Sequence, residues 1–410
     1  MTEQSAYRYI IVGGGIAGFS AARAIRERDP DGSLVILNGE DRLPYKRTKI
    51  SKRAAAGFSR DDFSLEPEKW YQENRIDLIT GRSADGLSIA PQRVHLDSGS
   101  ILSWERLILA SGARPVLPPG VETSDRDGIH VVRSAAQVEH LRRAIEAVGR
   151  VAIVGSGVLG VEVCEQVRLL GKEVLLIGSG PLPLSNRLNG DLAQMLSVGL
   201  SGHGVELHMN ERILGVTRDE NRPKEGRLLI ETTQGQHSAD LVVFCIGVQA
   251  NVEIAASAGI AVDHGILVDE YLCTSAPGIY AAGDAAEHPL GYVSYLWHAA
   301  ELQGKIAGSN AAGDSVVHDS PPFRMKCEVF GHYFFAMNRP PSDEGYEVIV
   351  EAEGALYRSL YYREGRLCGA LMANDKERAK SYVQAVREGW SMAETGRRIP
   401  LGTASPSQGI

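Results

Sequence analysis

The sequence predicts an α/β chain with two domains built on parallel sheets and a smaller C-terminal α+β domain. The main observation is a duplicated unit in which a short apolar strand leads into a glycine turn and then a helix, at residues 10–28 and again at 151–170. A second apolar strand follows each unit, at 34–37 and at 174–177. Such strand–helix–strand units pair their strands in parallel with right-handed crossovers, so each unit predicts a three-layer domain.

The domain boundaries are predicted from changes in pattern along the chain. A proline-rich stretch after residue 114 marks a crossing between the first two domains. From about residue 321 polar–apolar alternation replaces the buried-type strands and predicts strands at 324–329, 346–350, 356–363 and 366–372, followed by a helix over 376–387. We therefore expect a first domain of residues 1–114 and 242–320, a second of 115–241 inserted into it, a third of 321–396 and a flexible tail of 397–410.

Composition and charge exclude several classes of protein. Hydrophobic residues make up 43% of the 410 residues and charged residues 23%, as in globular proteins. The net charge of −8 disfavours nucleic acid and anionic membranes as partners, and no apolar run approaches the ~20 residues that span a bilayer. The N-terminus lacks the pattern of a secretory leader, so we expect a cytoplasmic protein.

Cysteine and histidine spacing predicts no metal site and no redox disulfide. The cysteines are scattered and form no C-x-x-C pair, which is typical of buried thiols in a reducing compartment. The later histidines likewise show no metal-ligand spacing. The residues considered are Cys164, Cys245, Cys273, Cys327 and Cys368, and His288, His298, His318 and His332.

Both glycine turns fit G-x-G-x-x-G between a strand and a helix, the fingerprint of Rossmann-type dinucleotide-binding domains. The first glycine permits the tight turn, the second lets the backbone approach a pyrophosphate, and the third allows close packing of helix on strand. Free N–H groups at the positive end of the helix then bind the diphosphate. The predicted binding residues are Gly13, Gly15, Ile16, Ala17 and Gly18 in the first turn, and Gly155, Gly157, Leu159 and Gly160 in the second.

The acidic residue that binds a ribose hydroxyl is expected after the second strand of each unit. In the first unit Glu40 is the candidate, two residues beyond Asn38. In the second unit the strand ends in Gly178-Ser179-Gly180, with neither an acid for NADH nor an arginine for the 2′-phosphate of NADPH, and Arg187 lies well downstream. The sequence therefore leaves open whether NADH or NADPH is the nicotinamide cofactor.

Four further stretches resemble motifs of FAD-dependent pyridine-nucleotide reductases of the ferredoxin and rubredoxin reductase type, and of the flavin-binding part of nitrite reductases. Residues 43–52 are similar to the family segment P-Y-x-R-x-x-L-S-K, and 110–115 to its A-T-G-A-R-P crossing. Residues 246–251 are similar to its G-x-x-P-N turn, with Ala250 in place of proline, and 280–286 to its second flavin motif. The resemblance covers most of residues 7–315, and more loosely the C-terminal domain.

The resemblance implies that FAD and NAD(P)H are the cofactors, with hydride passing from the nicotinamide C4 to the flavin N5. Lys52 and Glu162 are then the expected catalytic residues, Lys52 beside the flavin N5 edge and Glu162 paired with it near the nicotinamide. Asp284 is expected to bind the ribityl chain and Trp297 to pack near the flavin ring. The resemblance also implies cofactor-binding roles for Arg47, Lys52, Ala110, Ser111, Gly112, Arg114, Glu162, Gly247 and Gly283.

The expected electron acceptor is a small ferredoxin- or rubredoxin-type carrier protein. Arg42 stands where thiol-using branches of the family carry a cysteine, so electrons are expected to leave the flavin without a thiol relay. A basic stretch could steer an acidic carrier toward the flavin, or be an ordinary solvated loop. Its residues are Arg42, Lys46, Arg47, Lys49, Lys52, Arg53 and Arg60.

The sequence is also compatible with two other functions. The neutral Gly178–Gly180 stretch is also compatible with a flavin enzyme that acts directly on a small organic substrate. A redox-sensing protein that holds FAD and changes partners on reduction is a third possibility, ranked last because Lys52, Glu162 and Asp284 are all present. A homodimer is compatible with the sequence.

Overall fold

The computed structural model describes residues 5–59, 62–122, 128–218, 228–319 and 322–400. The strands in the first half of the chain are β1 (Ser5–Val12), β2 (Leu34–Asn38), β3 (Ile76–Thr80), β4 (Ala84–Ser88), β5 (Arg93–Leu96), β6 (Ile101–Leu109), β7 (Ala113–Pro115), β8 (Ile129–Val131), β9 (Arg150–Val154), β10 (Glu173–Gly178) and β11 (Val205–Met209). The remaining strands are β12 (Ile213–Arg218), β13 (Leu228–Thr232), β14 (Gly235–Ala239), β15 (Leu241–Phe244), β16 (Val248–Ala250), β17 (Ile266–Leu267), β18 (Ile279–Ala281), β19 (Ala286–Glu287), β20 (Arg324–Val329), β21 (His332–Met337), β22 (Glu347–Glu353), β23 (Leu356–Arg363) and β24 (Arg366–Ala373). The α-helices are α1 (Ile16–Arg28), α2 (Glu68–Glu73), α3 (Ala135–Glu146), α4 (Val158–Leu169), α5 (Gly190–Gly202), α6 (Glu253–Ser257), α7 (Trp297–Ala311), α8 (Ala379–Glu388) and α9 (Met392–Arg398).

The first sheet has the strand order β3-β2-β1-β6-β5-β4, and β18 also pairs with β6. Strands β1, β2, β3, β6 and β18 run in parallel, whereas β4 and β5 add an antiparallel edge. Strand β18 lies some 170 residues after β6 in the chain, and the strands of the second sheet lie between them in the sequence. The fully buried runs of β1 and β2 explain their continuous apolar sequences.

The second sheet has the order β11-β10-β9-β15-β8, and all its strand pairs are parallel. A separate antiparallel sheet, β12-β13-β14, follows β11 in the chain. These two parallel sheets confirm the predicted α/β fold class with two Rossmann-type units. The antiparallel sheet was not predicted, because its outer strands β12 and β14 are largely exposed or half-buried and carry few apolar residues.

The crossing between the two parallel sheets is a small antiparallel pair of β7 and β16. Ser111 and Asn251 reinforce it, since the Ser111 hydroxyl donates to the Asn251 carbonyl at 2.8 Å and the Asn251 amide donates to the Ser111 carbonyl at 2.9 Å. Strand β15 belongs to the second sheet, although the predicted boundary placed residue 242 in the first domain. We therefore propose that the inserted domain ends after Phe244.

The C-terminal domain is a five-stranded antiparallel sheet, β20-β21-β24-β23-β22, with α8 packed on one face. Strand β21 was missed because its residues are continuously buried and show no alternation. The predicted tail from residue 397 is wrong at its start, since Arg397 and Arg398 belong to α9 and Ile399 is fully buried. The rest of that tail, residues 401–410, lies outside the described residues.

Two features bear on the surroundings of the protein. No helix within the described ranges is long and apolar enough to cross a membrane. All five cysteines are free thiols, and Cys164 and Cys327 are buried as predicted. The prediction of burial was wrong for Cys245, Cys273 and Cys368, which are only partly buried.

Candidate functional site

A cavity of about 810 Å³ lies at the carboxyl ends of the parallel strands of the first sheet. Its walls include Val12, Leu37, Ala110 and Ala282, each at or just beyond the end of a strand. The carboxyl edge of a parallel sheet is where open α/β folds bind ligands. The cavity is therefore the candidate dinucleotide site of the first unit.

The first glycine turn forms the floor of this cavity. A Cβ on Gly13 would lie 2.1 Å from the Ala110 carbonyl oxygen, and a Cβ on Gly18 would lie 1.9 Å from the Gly13 carbonyl oxygen, so neither position accepts a side chain. A Cβ on Gly15 would meet nothing within 4 Å. Gly15 is also the N-cap of α1 and provides no side-chain acceptor for the first N–H groups of the helix. The floor thus offers open space and backbone donors to a diphosphate, as an FAD site requires.

The cavity wall contains Glu40 beside the half-buried Arg47. Arg47 donates to the Glu40 carboxylate, and the Tyr45 hydroxyl donates to the same group at 2.9 Å. Although burial opposes the charge on Arg47, its neighbours Tyr45 and Glu40 raise the pKa of its guanidinium. Glu40 is therefore fixed in place as an acceptor, as expected for a carboxylate that binds a ribose.

The cavity wall also contains Asp284 and Trp297. The Arg133 guanidinium donates to the Asp284 carboxylate at 2.6 Å, and the Gly283 N–H donates to the Gln303 side chain at 2.8 Å. Trp297 opens α7 and is half-buried at the cavity wall. A carboxylate and an aromatic ring side by side suit a polyol chain attached to a flat ring system.

Arg133 was not predicted, although it lines the cavity. Ser134 caps α3 in a capping box with Gln137, and the Gln137 side chain also accepts from the Arg133 N–H at 2.8 Å. The Arg133 side chain is held as well by the Ala113 carbonyl at 3.1 Å. The capping box was a readable sequence signal, but nothing in the sequence shows that the preceding arginine reaches a cavity formed by distant residues.

The second glycine turn repeats the geometry of the first. Gly155 has φ of 116°, against 117° for Gly13, and a Cβ on Gly155 would lie 2.3 Å from the Cys245 carbonyl oxygen. A Cβ on Gly160 would lie 1.8 Å from the Gly155 carbonyl oxygen, and Gly157 is an open N-cap like Gly15. The second unit therefore presents the same backbone donors to a diphosphate as the first.

At the end of the second strand, the second unit has Gly178 where the first unit has Asn38. A Cβ on Gly178 would lie 2.3 Å from the Met209 side chain and 2.5 Å from the Ser156 hydroxyl. Arg187 is engaged elsewhere, because its guanidinium lies 4.4 Å from the centroid of the Phe323 ring.

Lys52 and Glu162 form an ion pair between the two units. The Lys52 ammonium lies 3.4 Å from the Glu162 carboxylate and 3.7 Å from that of Glu328 on β20. Glu162 is 5% exposed and also accepts from the Ser51 hydroxyl. Burial raises the pKa of Glu162, against the opposing charge of Lys52 and the hydrogen bond from Ser51. The pairing expected from the sequence is present, with a carboxylate that is costly to ionise.

Many of the residues predicted to bind cofactor line the cavity of the first unit. They are Gly13, Gly15, Ile16, Ala17, Glu40, Arg47, Ala110, Ser111, Gly112, Gly283, Asp284 and Trp297. Gly18 lies behind the floor, and Lys52, Glu162, Leu159 and the second glycine turn lie outside this cavity. Besides Arg133, the cavity walls contain Asn38, Thr48, Ser83, Asp85, Asn251 and Tyr295, none of which was predicted to bind cofactor.

Arg114 and Gly247 lie at the crossing between the sheets and do not line the cavity. The Arg114 guanidinium contacts Glu253 at 2.6 Å and the Asn251 side chain at 3.2 Å. The Gly247 carbonyl accepts from the Val116 N–H at 3.0 Å. Both residues therefore hold the crossing strands β7 and β16 together, because these short strands have few hydrogen bonds of their own.

The raised pKa of Glu162 predicts a pH-dependent effect of Glu162→Gln on stability. The folded chain binds the Glu162 proton more tightly than the unfolded chain does. The stabilising contribution of this carboxyl group is therefore lost as pH rises from its pKa in the unfolded chain through its pKa in the folded chain. The melting temperature of the variant, minus that of the parent, should increase between about pH 4 and about pH 8. The exposed Glu68→Gln on α2 controls for general loss of charge. A difference for Glu162→Gln that does not vary with pH would contradict the assignment.

Comparisons with known proteins agree with this geometry. The chain is 35% identical over 320 residues to the "Anthranilate 1,2-dioxygenase system ferredoxin--NAD(+) reductase component" of Burkholderia cepacia, covering 75% of this chain and 76% of that protein. It is 31% identical over 283 residues to "Rhodocoxin reductase" of Rhodococcus erythropolis, covering 68% of this chain and 65% of that relative, slightly less than two thirds of its length. The NADH:rubredoxin oxidoreductase structure from Clostridium acetobutylicum matches with a TM-score of 0.74 at 26% identity, covering 94% of this chain and 96% of that chain.

The family match completes the identification. The family model described as "Pyridine nucleotide-disulphide oxidoreductase" matches residues 7–304, which contain both glycine turns and the Lys52–Glu162 pair. This match confirms the predicted class of enzyme and its cofactors, FAD and NAD(P)H. The chain belongs to the pyridine nucleotide-disulphide oxidoreductase family.

Proposed function

We propose that this chain is an FAD-dependent NAD(P)H reductase that delivers electrons to a small, acidic iron–sulfur or rubredoxin-type carrier. The observation that carries the proposal is the Lys52–Glu162 pair, which joins the FAD-type unit to the nicotinamide-type unit. The names of its relatives, a ferredoxin–NAD(+) reductase component and rhodocoxin reductase, support the same activity. The five free thiols suit a cytoplasmic location.

The residues of the large cavity fit FAD. The open N-cap Gly15 and the N-terminus of α1 would hold the diphosphate, Glu40 the ribose, and Asp284 the ribityl hydroxyls. Arg47 and Arg133 also line the cavity, paired with Glu40 and Asp284, and would hold these two carboxylates in place for the ribose and the ribityl hydroxyls. When bound, FAD supplies acceptance of hydride and release of single electrons.

The second unit would hold the nicotinamide cofactor on the matching turn of Gly155 to Gly160. Glu162 lies on the second turn of α4, two residues after Gly160, so the ion pair marks where the two sites would approach each other. Lys52 would place a positive charge near electron density that develops on the reduced flavin. Glu162 would act as a positioning residue that fixes the Lys52 ammonium.

A basic surface on the C-terminal domain lies beside this pair and supports the choice of an acidic carrier. Arg324 and Lys326 project from the same face of β20, and Lys380 and Arg387 are two turns apart on α8. Burial lowers the pKa of the Lys326 ammonium, and the positive neighbours Arg324 and Lys52 act in the same direction. We define the basic surface as Arg324, Lys326, Lys380 and Arg387, since Lys376 is paired with Glu328 at 2.9 Å.

The basic stretch predicted from the sequence contributes less than its composition indicated. Arg47 is paired with Glu40, and Arg53 lies 3.4 Å from Asp62, so their charges are compensated within the chain. Lys46 and Lys49 are exposed. Arg60 lies outside the described residues. The C-terminal basic surface is therefore the stronger candidate for electrostatic steering.

Substitutions at Gly15 and Gly157, the two open glycines, should affect the two cofactor sites independently. Gly15→Val and Gly157→Val both place a side chain in open space at φ near −75°, a backbone conformation that valine adopts, so both variants should fold. Gly15→Val should lose FAD, with at least a tenfold drop in affinity, whereas Gly157→Val should keep FAD and lose nicotinamide affinity to a similar degree. Flavin content and nicotinamide titration measure the two effects. Loss of FAD in Gly157→Val would contradict the assignment of the second turn.

The carrier assignment predicts an effect of charge reversal on the basic surface. The purified FAD-loaded protein is first titrated anaerobically with NADH, and separately with NADPH, while the flavin absorbance is followed. The protein is then assayed for electron transfer to a purified ferredoxin and to a purified rubredoxin. Lys326→Glu and Lys380→Glu should each raise the KM for the carrier about tenfold at low salt and leave kcat nearly constant, because the surface steers encounter.

Lys69→Glu on α2 is the matched control for this experiment, since Lys69 is an exposed lysine paired with Glu73 away from the basic surface. Its KM for the carrier should equal that of the parent. A flavin that neither nicotinamide bleaches would contradict the reductase assignment and favour direct action on a small organic substrate. Bleaching without reduction of any carrier would contradict the carrier alone.

A further inference from the structure

Two histidines and a buried carboxylate meet at the edge of the inserted domain, and none of the three lines the large cavity. His208 lies on the edge strand β11, Glu211 follows it, and His237 lies on β14 of the antiparallel sheet. His237 Nε2 is 2.6 Å from one oxygen of Glu211, and His208 Nδ1 is 3.4 Å from the other. One atom from each residue lies within 4.8 Å of the other two. The cluster therefore has the size of a metal coordination sphere.

A second layer of contacts orients His208 and Glu211. His208 Nε2 is 2.7 Å from the Glu206 carboxylate, which Arg150 in turn contacts at 2.8 Å. The Thr232 hydroxyl donates to Glu211 at 2.7 Å. A carboxylate on the outer nitrogen of an imidazole fixes the tautomer so that the inner nitrogen, here Nδ1, presents a lone pair. This contact is independent of the inner cluster and favours a cation at its centre.

The backbone holds the cluster in place. Asn210 adopts φ of 61°, in the left-handed region, which turns the chain so that Glu211 lies against His208. The Asn210 and Glu211 N–H groups donate at 2.9 Å to the carbonyls of Gly180 and Gly178. Glu211 is buried, and the side chains of His208 and His237 are 22% and 15% exposed. The ligands are thus fixed on rigid elements while solvent still reaches one side.

We propose that His208, Glu211 and His237 form a site for a divalent transition-metal cation of the Zn²⁺ type. Two imidazoles and one carboxylate, with water in the fourth position, are a common zinc ligand set, whereas Ca²⁺ and Mg²⁺ prefer oxygen ligands. Zinc bonds of about 2.0–2.1 Å at tetrahedral angles place ligand atoms about 3.4 Å apart. Small side-chain movements bring the observed separations to that value.

The cation would stabilise the inserted domain by joining its two sheets. His208 extends from the edge of the parallel sheet, and His237 comes from the antiparallel sheet, with Glu211 between them. This proposal revises the expectation of no metal site. The sequence did not reveal the site because its ligands lie on separate elements, 29 residues apart in the chain from His208 to His237. Metal binding to the FAD-loaded protein is measured without turnover, so it does not depend on the proposed reductase function.

The test is equilibrium dialysis of the FAD-loaded protein against Zn²⁺, with Co²⁺ as a spectroscopic probe of the same site. The parent should bind one equivalent of Zn²⁺, show the visible absorption of tetrahedral Co²⁺, and gain melting temperature when Zn²⁺ is added. His237→Gln and Glu211→Gln should lower the affinity at least 100-fold and abolish the gain in melting temperature. Glu206→Gln, outside the inner cluster, should lower the affinity about 10–100-fold.

His264→Gln replaces an exposed histidine outside the cluster and should bind Zn²⁺ as the parent does. Circular dichroism establishes that each variant is folded. If the ligand variants do not fold, the parent's Co²⁺ spectrum and the Glu206→Gln affinity decide the question. Binding of less than one equivalent by the parent, or equal affinity in His237→Gln, Glu211→Gln and the parent, would overturn the proposal and leave a hydrogen-bonded cluster without a cation.

Discussion

One buried carboxylate connects the three parts of this molecule. Glu162 extends from the helix that follows the second glycine turn, accepts from Ser51 and pairs with Lys52 of the first unit. Glu328 of the C-terminal sheet contacts the same lysine. Burial makes the charge on Glu162 costly. The contacts from Ser51 and Lys52 offset that cost only while the parts keep their relative positions, so the positions of the three parts are constrained together.

The two dinucleotide units share their turn geometry and differ in what surrounds it. Gly13 and Gly155 have almost the same φ, and the third glycine of each turn packs against the carbonyl of the first. At the end of the second strand, however, the first unit carries Asn38 and Glu40, whereas Met209 and Ser156 fill the corresponding space beside Gly178. The repeated backbone therefore presents the same open N-cap in both units, and the two units differ in the side chains around it.

Much of the fold could be predicted because its signals are local. The apolar runs of β1, β2, β9 and β10 and the glycine turns each lie within a few residues, and the sequence motifs placed Glu40, Asp284 and Trp297 at one cavity. What the sequence did not show depends on contacts between distant residues. Arg133 reaches Asp284 across 151 positions, and His237 meets Glu211 across 26.

Local composition misled the prediction where tertiary contacts decide the outcome. The basic stretch appeared to be a free positive surface, yet Arg47 and Arg53 are paired within the chain. The polar C-terminal residues indicated a tail from residue 397, but Ile399 is buried against the C-terminal domain and its carbonyl accepts from Arg358. Strand β15 was split between domains because an apolar run does not show which sheet receives it.

The central claim is that Lys52 lies where the flavin and nicotinamide sites meet. It is tested most directly by rapid anaerobic mixing of Lys52→Met with the nicotinamide that bleaches the parent flavin, with the exposed neighbour Lys49→Met as control. The account predicts that Lys52→Met retains FAD but bleaches at least tenfold more slowly, because a preorganised charge near the reacting atoms is lost, while Lys49→Met bleaches at the parental rate. Equal bleaching rates for Lys52→Met and the parent would contradict it.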